Sequence, residues 1–189
     1  EKPLVLRSRE VRELAAKPNI FTVLQLRHHP LAQKLKSQIG NRESYEIDMD
    51  VSNYRNERYY TSWKADPRRS GGILWNLGSH YFDMLIYLFG YPTDVGEVRG
   101  NDRTMEGTLR GTNYVCHWRV SSEARRGEQH RIYKINGVDY NFSSQENLAN
   151  ENLHLDVYRE LLEGRGVTPA EALPSTTLIE AIYEKVKQG

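Results

Sequence analysis

The chain has 189 residues, enough for one domain that buries a sizeable core. Its 26 basic and 25 acidic residues nearly cancel, which argues against a dominant nucleic-acid footprint. A single cysteine, Cys116, excludes an internal disulfide framework and a thiolate metal cluster, and it points to a reducing, cytoplasmic setting.

In chain order, Leu4 to Lys17 reads as an amphipathic helix with Leu4, Val11, Leu14 and Ala15 on its apolar side. The chain opens at Glu1-Lys2-Pro3 and enters helical text at once, so a preceding N-terminal portion is expected, with residues 1–17 as a junction. After Lys17-Pro18-Asn19, Ile20 to Leu26 is β-rich and is expected as a strand. Leu31 to Ile39 then reads as a short helix stopped by Gly40. From Tyr45 to Tyr54 the residues alternate, with Tyr45, Ile47, Met49 and Val51 on one face and Glu46, Asp48, Asp50 and Ser52 on the other. That is a strand with one buried and one acidic face. Arg55 to Ser70, charged and aromatic, reads as an ordered loop.

Beyond the next helix, Asp94 to Phe142 is strand territory. Tyr114, Cys116, Trp118 and Val120 alternate with Val115, His117, Arg119 and Ser121. Asn136-Gly137, between Arg131–Ile135 and Val138–Phe142, is a strong hairpin signal. The glycine-spaced stretch Asp102 to Thr112 is expected to turn between strands. Helices over Asn152–Glu163 and Thr176–Lys187 close the chain, with Pro169 and Pro174 punctuating between them.

Strands grouped between helices imply a single α+β domain over residues 1–189: an open, largely antiparallel sheet with helices on one face. The other face is either plainly solvated or the contact surface of a homo-oligomer. There Glu46, Asp48 and Asp50 would meet His117, Arg119 and Lys134 across a two-fold axis. No apolar run approaches a membrane span.

The stretch from Gly71 to Asp83 carries the most information. Trp75, Leu77, Phe82, Leu85, Ile86 and Phe89 follow roughly helical spacing up to Gly90, yet Asn76 and His80 lie four residues apart within it. Polar groups in apolar helical text need hydrogen bonds, so they are either satisfied core residues or the lining of a pocket. The six histidines include no His-Glu-x-x-His, and no metal site is expected. Nor does the chain hold a Gly-x-Ser-x-Gly elbow, a P-loop or a Gly-x-Gly-x-x-Gly turn, so it has no visible cofactor cradle of its own. The run from Tyr54 to Lys64 mixes cations with aromatic rings. It suits a phosphorylated or carboxylated sugar, single-stranded nucleic acid, or simply a surface loop with cations over rings.

Glu1-Lys2-Pro3, followed some seventy residues on by Gly71-Gly72, Gly78, His80 and Asp83, resembles the Gfo/Idh/MocA oxidoreductase family. These enzymes join an N-terminal Rossmann domain to a C-terminal α/β domain, and the resemblance implies that this chain is the C-terminal part. Leu24-Gln25-Leu26-Arg27, Ser62-Trp63-Lys64, Asn76 through Asp83, and Leu153-His154 with Tyr158 and Leu161-Leu162 are similar to its WlbA/WbpB group. That group oxidises the sugar 3-hydroxyl of UDP-N-acetylglucosaminuronate with NAD in surface-polysaccharide synthesis. Many family members have aspartate where this chain has Asn76.

The resemblance implies His80 as the catalytic base and Lys2 as a catalytic cation that also reaches the cofactor. NAD (or NADP) would be bound mainly by the chain's own Rossmann domain. Asn76 would orient the substrate or the imidazole, Arg58 and Lys64 would meet the uronate carboxylate or the diphosphate, and Tyr60 or Trp63 would pack on the sugar or uracil. Arg27 falls near the domain junction, with a structural role equally open. The alternatives are a dehydrogenase of another sugar or polyol, or a non-catalytic binding or oligomerisation module.

Overall fold

A computed structural model describes residues 2–40, 44–143 and 150–188; Glu1 of the Glu1-Lys2-Pro3 motif lies outside them. Six strands form one sheet: β1 (Tyr45–Ser52), β2 (Asp94–Gly100), β3 (Thr104–Arg110), β4 (Tyr114–Ser121), β5 (His130–Ile135) and β6 (Val138–Asn141). Their spatial order is β2-β3-β4-β1-β5-β6. All neighbours run antiparallel except the central pair, β1 and β4, which is parallel from Tyr45↔Tyr114 to Ser52↔Ser121.

Alternation in the sequence sets the two faces. Tyr45, Ile47, Met49 and Val51 of β1 and Tyr114, Cys116, Trp118 and Val120 of β4 are buried. They pack against α5 (Ser79–Phe89) and the last helix, α7 (Pro169–Gln188), which contribute Phe82, Met84, Leu85, Leu178, Ile179 and Ile182 to the same cluster. Phe82 meets Trp118 edge-on at 5.3 Å between centroids. Truncating so buried a phenylalanine costs about 3–5 kcal/mol. The Asn136-Gly137 turn has φ of 49° and 83°, the left-handed pair that a two-residue hairpin loop requires.

On the opposite face the charges pair between neighbouring strands of one molecule. Asp48 stands beside both His117 and Lys134 in the ladder, and Asp50 reaches Arg119 at 3.5 Å and His130 at 3.0 Å.

Three expectations are corrected. Ile20–Leu26 is not a strand: only Thr22 pairs, with Val167, and Gln25–His28 winds into a short 3-10 turn. Its β-rich residues Val23 and Leu24 are buried by tertiary packing instead, which overrides local propensity. Asp102–Thr112 is largely strand β3, with Met105 and Leu109 pointing into the core. Gly107 marks a close approach there, since a Cβ would lie 2.5 Å from the Glu97 carbonyl and 2.9 Å from the Trp118 ring. Pro174 does not separate helices but lies inside α7, which begins at Pro169, a favourable first helical position. The Ser175 and Thr176 hydroxyls both donate to the Ala172 carbonyl in this turn.

The remaining helices are α1 (Ser8–Ala15), α2 (Pro30–Gln38), α3 (Glu57–Tyr60), α4 (Pro67–Ser70) and α6 (Asn150–Leu162). The loop from Arg55 to Ser70 owes its order to three polar caps. Asn56 accepts from the Tyr59 amide at 3.1 Å, Ser62 from Lys64 at 3.3 Å and Asp66 from Arg68 at 3.0 Å. Among the described residues no helix is long and apolar enough to cross a membrane.

Candidate active site

Gly71 and Gly72, with φ of 81° and 95°, turn the chain into the helix that carries the polar pair. Its first turn, Leu74–Gly78, is a π-helix that runs directly into α5. Such wide turns expose backbone groups and recur at functional sites. Asn76 sits in the middle of it, and the Lys2 ammonium donates to its main-chain carbonyl at 2.5 Å. The Asn76 side-chain amide donates to the Lys64 carbonyl at 2.7 Å, tying the loop to the helix. Asn76 thereby holds Lys2 through its backbone and the cation-rich loop through its side chain.

His80 lies in the first turn of α5. Its Nδ1 is sealed from solvent and has no hydrogen-bond partner among the described residues. Burial holds the imidazole well below its ordinary pKa of 6.5, and the Lys2 and Arg131 cations push the same way. The ring is therefore neutral at neutral pH, the form that accepts a proton. Sequence reading missed Arg131 as a member of this group. The available signal was a cation alternating with Tyr133 and Ile135 on the core-facing side of β5.

Arg27 is committed elsewhere. Its Nε and Nη2 donate to the Asp83 carboxylate at 2.8 and 2.7 Å, and Nη2 also reaches the Glu171 carbonyl at 3.2 Å. Burial pushes the Asp83 carboxyl up while Arg27 pulls it back. This fork fastens α5 to the turn at Gln25–His28 and to the start of α7.

The loop residues divide. Tyr60 and Lys64 line one small cleft of about 190 Å³ with Ile73, Asp102 and Arg103. The Tyr60 hydroxyl donates to the Ser122 carbonyl at 2.8 Å, and Arg103 stacks 4.5 Å above its ring. Trp63 is half-exposed, with the Lys64 ammonium 6.0 Å from its ring centroid. Arg58 points into solvent on α3 and is not part of that cleft.

A largely antiparallel sheet with helices on one face places the chain in the α+β class. Residues 33–137 match the C-terminal alpha/beta domain of an oxidoreductase family, GFO_IDH_MocA_C. The chain belongs to this Gfo/Idh/MocA family. It is similar to the WlbA (WbpB) dehydrogenase from Thermus thermophilus in complex with NAD and UDP-GlcNAcA. That likeness is 30% identity and a TM-score of 0.84 over 94% of this chain and 61% of the other. A second structure of the Thermus thermophilus enzyme, with NAD and alpha-ketoglutarate, gives 28% identity and a TM-score of 0.86 over 96% and 62%. An uncharacterized oxidoreductase of Schizosaccharomyces pombe is 38% identical over 50 residues, 26% of this chain and 14% of the relative. The chain thus spans about three-fifths of the length of the dehydrogenases whose structures it resembles.

Proposed function

We propose that this chain is the substrate-binding part of an NAD-dependent dehydrogenase that oxidises the 3-hydroxyl of a UDP-N-acetylglucosaminuronate-type nucleotide sugar, in surface-polysaccharide synthesis. The observation that carries this reading is that Lys2 is held by the Asn76 carbonyl in the turn before His80, a neutral imidazole whose Nδ1 has no hydrogen-bond partner among the described residues. The likeness to dehydrogenases crystallised with NAD and UDP-GlcNAcA supports the substrate class. The ligand of the second similar structure, α-ketoglutarate, also bears carboxylates.

His80 takes the proton from the reacting hydroxyl onto its imidazole. Lys2 hydrogen-bonds the same oxygen and stabilises the negative charge that develops on it. NAD, when bound, supplies the acceptor for the hydride that leaves the sugar carbon. Lys2 and the uncharged His80 suit that neighbourhood, because neither places a negative charge where a hydride acceptor would sit. With no Gly-x-Gly-x-x-Gly turn in this sequence, the dinucleotide is assigned to a Rossmann domain of the same protein. Tyr60 and Lys64 are assigned to the nucleotide sugar. Arg58 and Trp63, further out, are assigned to the diphosphate or base. The charged open face of the sheet is assigned to a homo-oligomer contact.

The test is NADH formation by the full-length protein with UDP-N-acetylglucosaminuronate. Turnover that is lost in His80→Asn is the expected result. Undiminished turnover in that variant removes His80 from the base role, and no turnover by the unaltered protein removes the substrate.

A further inference from the structure

The Lys64 carbonyl sits in the 3-10 turn Trp63–Ala65 without a local donor. In such a turn a carbonyl accepts from the amide three residues on, but that residue is Pro67, which has no N–H. Asp66, extended at ψ 110°, has already left the turn, and its carboxylate takes the Arg68 amide at 3.0 Å. The Asn76 side chain supplies the missing donor at 2.7 Å. Only the NH2 end of an amide can donate to a carbonyl, so that end faces the loop.

This bond joins two linings of one cleft. Lys64 and Ala65 line the cleft of about 190 Å³ from the loop, and Gly72 and Ile73 line it from the start of the helix. The Asn76 main-chain amide donates to the Gly72 carbonyl at 3.1 Å, so the residue is fixed to the helix lining while its side chain holds the loop lining. Little else ties the loop down. Among the described residues, the other hydrogen bonds of residues 61–66 run to partners no more than four positions away. Tyr60, just before them, is anchored on Ser122, and α4 follows them. Between those two supports, the placement of the loop against the helix depends on one neutral hydrogen bond.

We propose that Asn76 is a positioning residue whose side-chain amide latches the segment carrying Trp63 and Lys64 to the helix, and so sets the cleft that grips the substrate. The inference rests on the nucleotide-sugar reading above and deepens it. Asn76 acts through Lys64 and not on the reacting hydroxyl: its amide carries no titratable proton, and its donor end is spent on the loop. Aspartate has the same size but offers no donor, and its charge would repel the Lys64 carbonyl. It would also bring an anion four residues before His80. Asparagine fastens the loop without adding that charge.

The experiment compares the full-length enzyme with Asn76→Ala and the equal-sized Asn76→Asp, by steady-state kinetics on UDP-N-acetylglucosaminuronate and by amide hydrogen exchange. Asn76→Ala is expected to raise KM by about 5- to 10-fold with a smaller fall in kcat. Exchange at the Lys64, Ala65 and Asp66 amides is expected to quicken by a similar factor while the α5 amides keep their protection. Asn76→Asp is expected to free the loop at least as far. Combined with Lys64→Ala, Asn76→Ala is expected to raise KM by less than the product of the two single effects, because the latch acts through Lys64. A loss in kcat with KM unaltered would put Asn76 on the reacting groups and overturn the proposal, as would independent effects in the double variant. If the unaltered enzyme does not turn over the nucleotide sugar, the functional reading fails and exchange alone decides the latch. Faster exchange confined to the loop upholds it, and unchanged exchange overturns it. Asn76→Asp keeps the test open should Asn76→Ala fail to fold.

Discussion

The Lys2 ammonium and the Asn76 carbonyl, 74 positions apart in the chain, meet at 2.5 Å. The carbonyl belongs to the π turn that precedes His80, so a single irregular turn positions both members of the proposed catalytic pair. In a regular α-helix a main-chain carbonyl is taken up by the amide four residues on; widening the turn is what turns such an acceptor toward a side chain.

Removing the ammonium tests this arrangement. Lys2→Met in the full-length enzyme is expected to lower kcat by about 100- to 1000-fold with little change in KM, the pattern of a group that stabilises developing charge. Lys2→Arg is expected to restore little, because a planar guanidinium cannot replace a compact ammonium at one carbonyl. Steady-state kinetics of both variants is the check. Loss confined to KM would make Lys2 a binding group only.

His80 and His29 give the protein a defined acid sensitivity. Burial depresses both pKa values below the ordinary 6.5, His80 much further. The unfolded chain therefore takes up protons near pH 6.5 while the folded chain does not. The stability of the neutral rings is fully present above that pH and is lost as pH falls through the folded values. Each ring contributes a slope of up to about 1.4 kcal/mol per pH unit in that window. Denaturant melts of His80→Asn between neutral and mildly acidic pH are expected to show a shallower slope, because only His29 then remains. An identical slope would mean that His80 titrates normally.

The Arg27–Asp83 fork predicts a stability effect distinct from catalysis. Asp83 is almost wholly buried, so Asp83→Ala leaves a buried guanidinium without its counter-charge, at a cost of about 3–5 kcal/mol. The melting temperature is expected to fall by roughly 6–20 °C. Arg27→Met combined with Asp83→Leu removes both charges and is expected to be less harmful than Asp83→Ala alone. Calorimetric melts of the single and double variants measure the difference.

Much of this was legible in the residues. Clean alternation in Tyr45–Ser52 and Tyr114–Ser121 carried the two central strands, Asn136-Gly137 carried the hairpin, and apolar spacing ending at Gly90 carried α5. Strand β3 was hidden because Gly107, which reads as a turn residue, is there to let the Trp118 ring and the Glu97 carbonyl close in. Ile20–Leu26 misled in the other direction, since its β-branched residues are buried without a neighbouring strand to extend the Thr22–Val167 bridge. In the site, the spacing of Asn76 and His80 was visible but the π turn was not, because hydrogen-bond registry depends on what packs around the helix. Arg131 lies far from His80 in sequence, and only the pairing of β5 with β1 sets it on the core-facing side of the sheet.

Gly72 offers a test of that irregular turn that touches no reacting group. Its φ of 95° disfavours any side chain, and a Cβ there would lie 2.5 Å from the Tyr183 hydroxyl. That hydroxyl in turn accepts the Leu74 amide at 3.2 Å, at the first residue of the π turn. Gly72→Ala therefore combines backbone strain with displacement of a hydrogen bond, and about 2–4 kcal/mol of destabilisation is expected. Tyr183→Phe removes the hydrogen bond alone and is expected to cost about 1 kcal/mol. In the double variant the clash with the hydroxyl is gone, so the combined loss should fall short of the two single losses added together. If the turn also sets the Asn76 carbonyl under Lys2, Gly72→Ala lowers kcat beyond what its stability explains, and Tyr183→Phe in the same background restores part of it. Strict additivity in the melts, with kcat unaltered, would separate the turn from both the tyrosine and the catalytic pair.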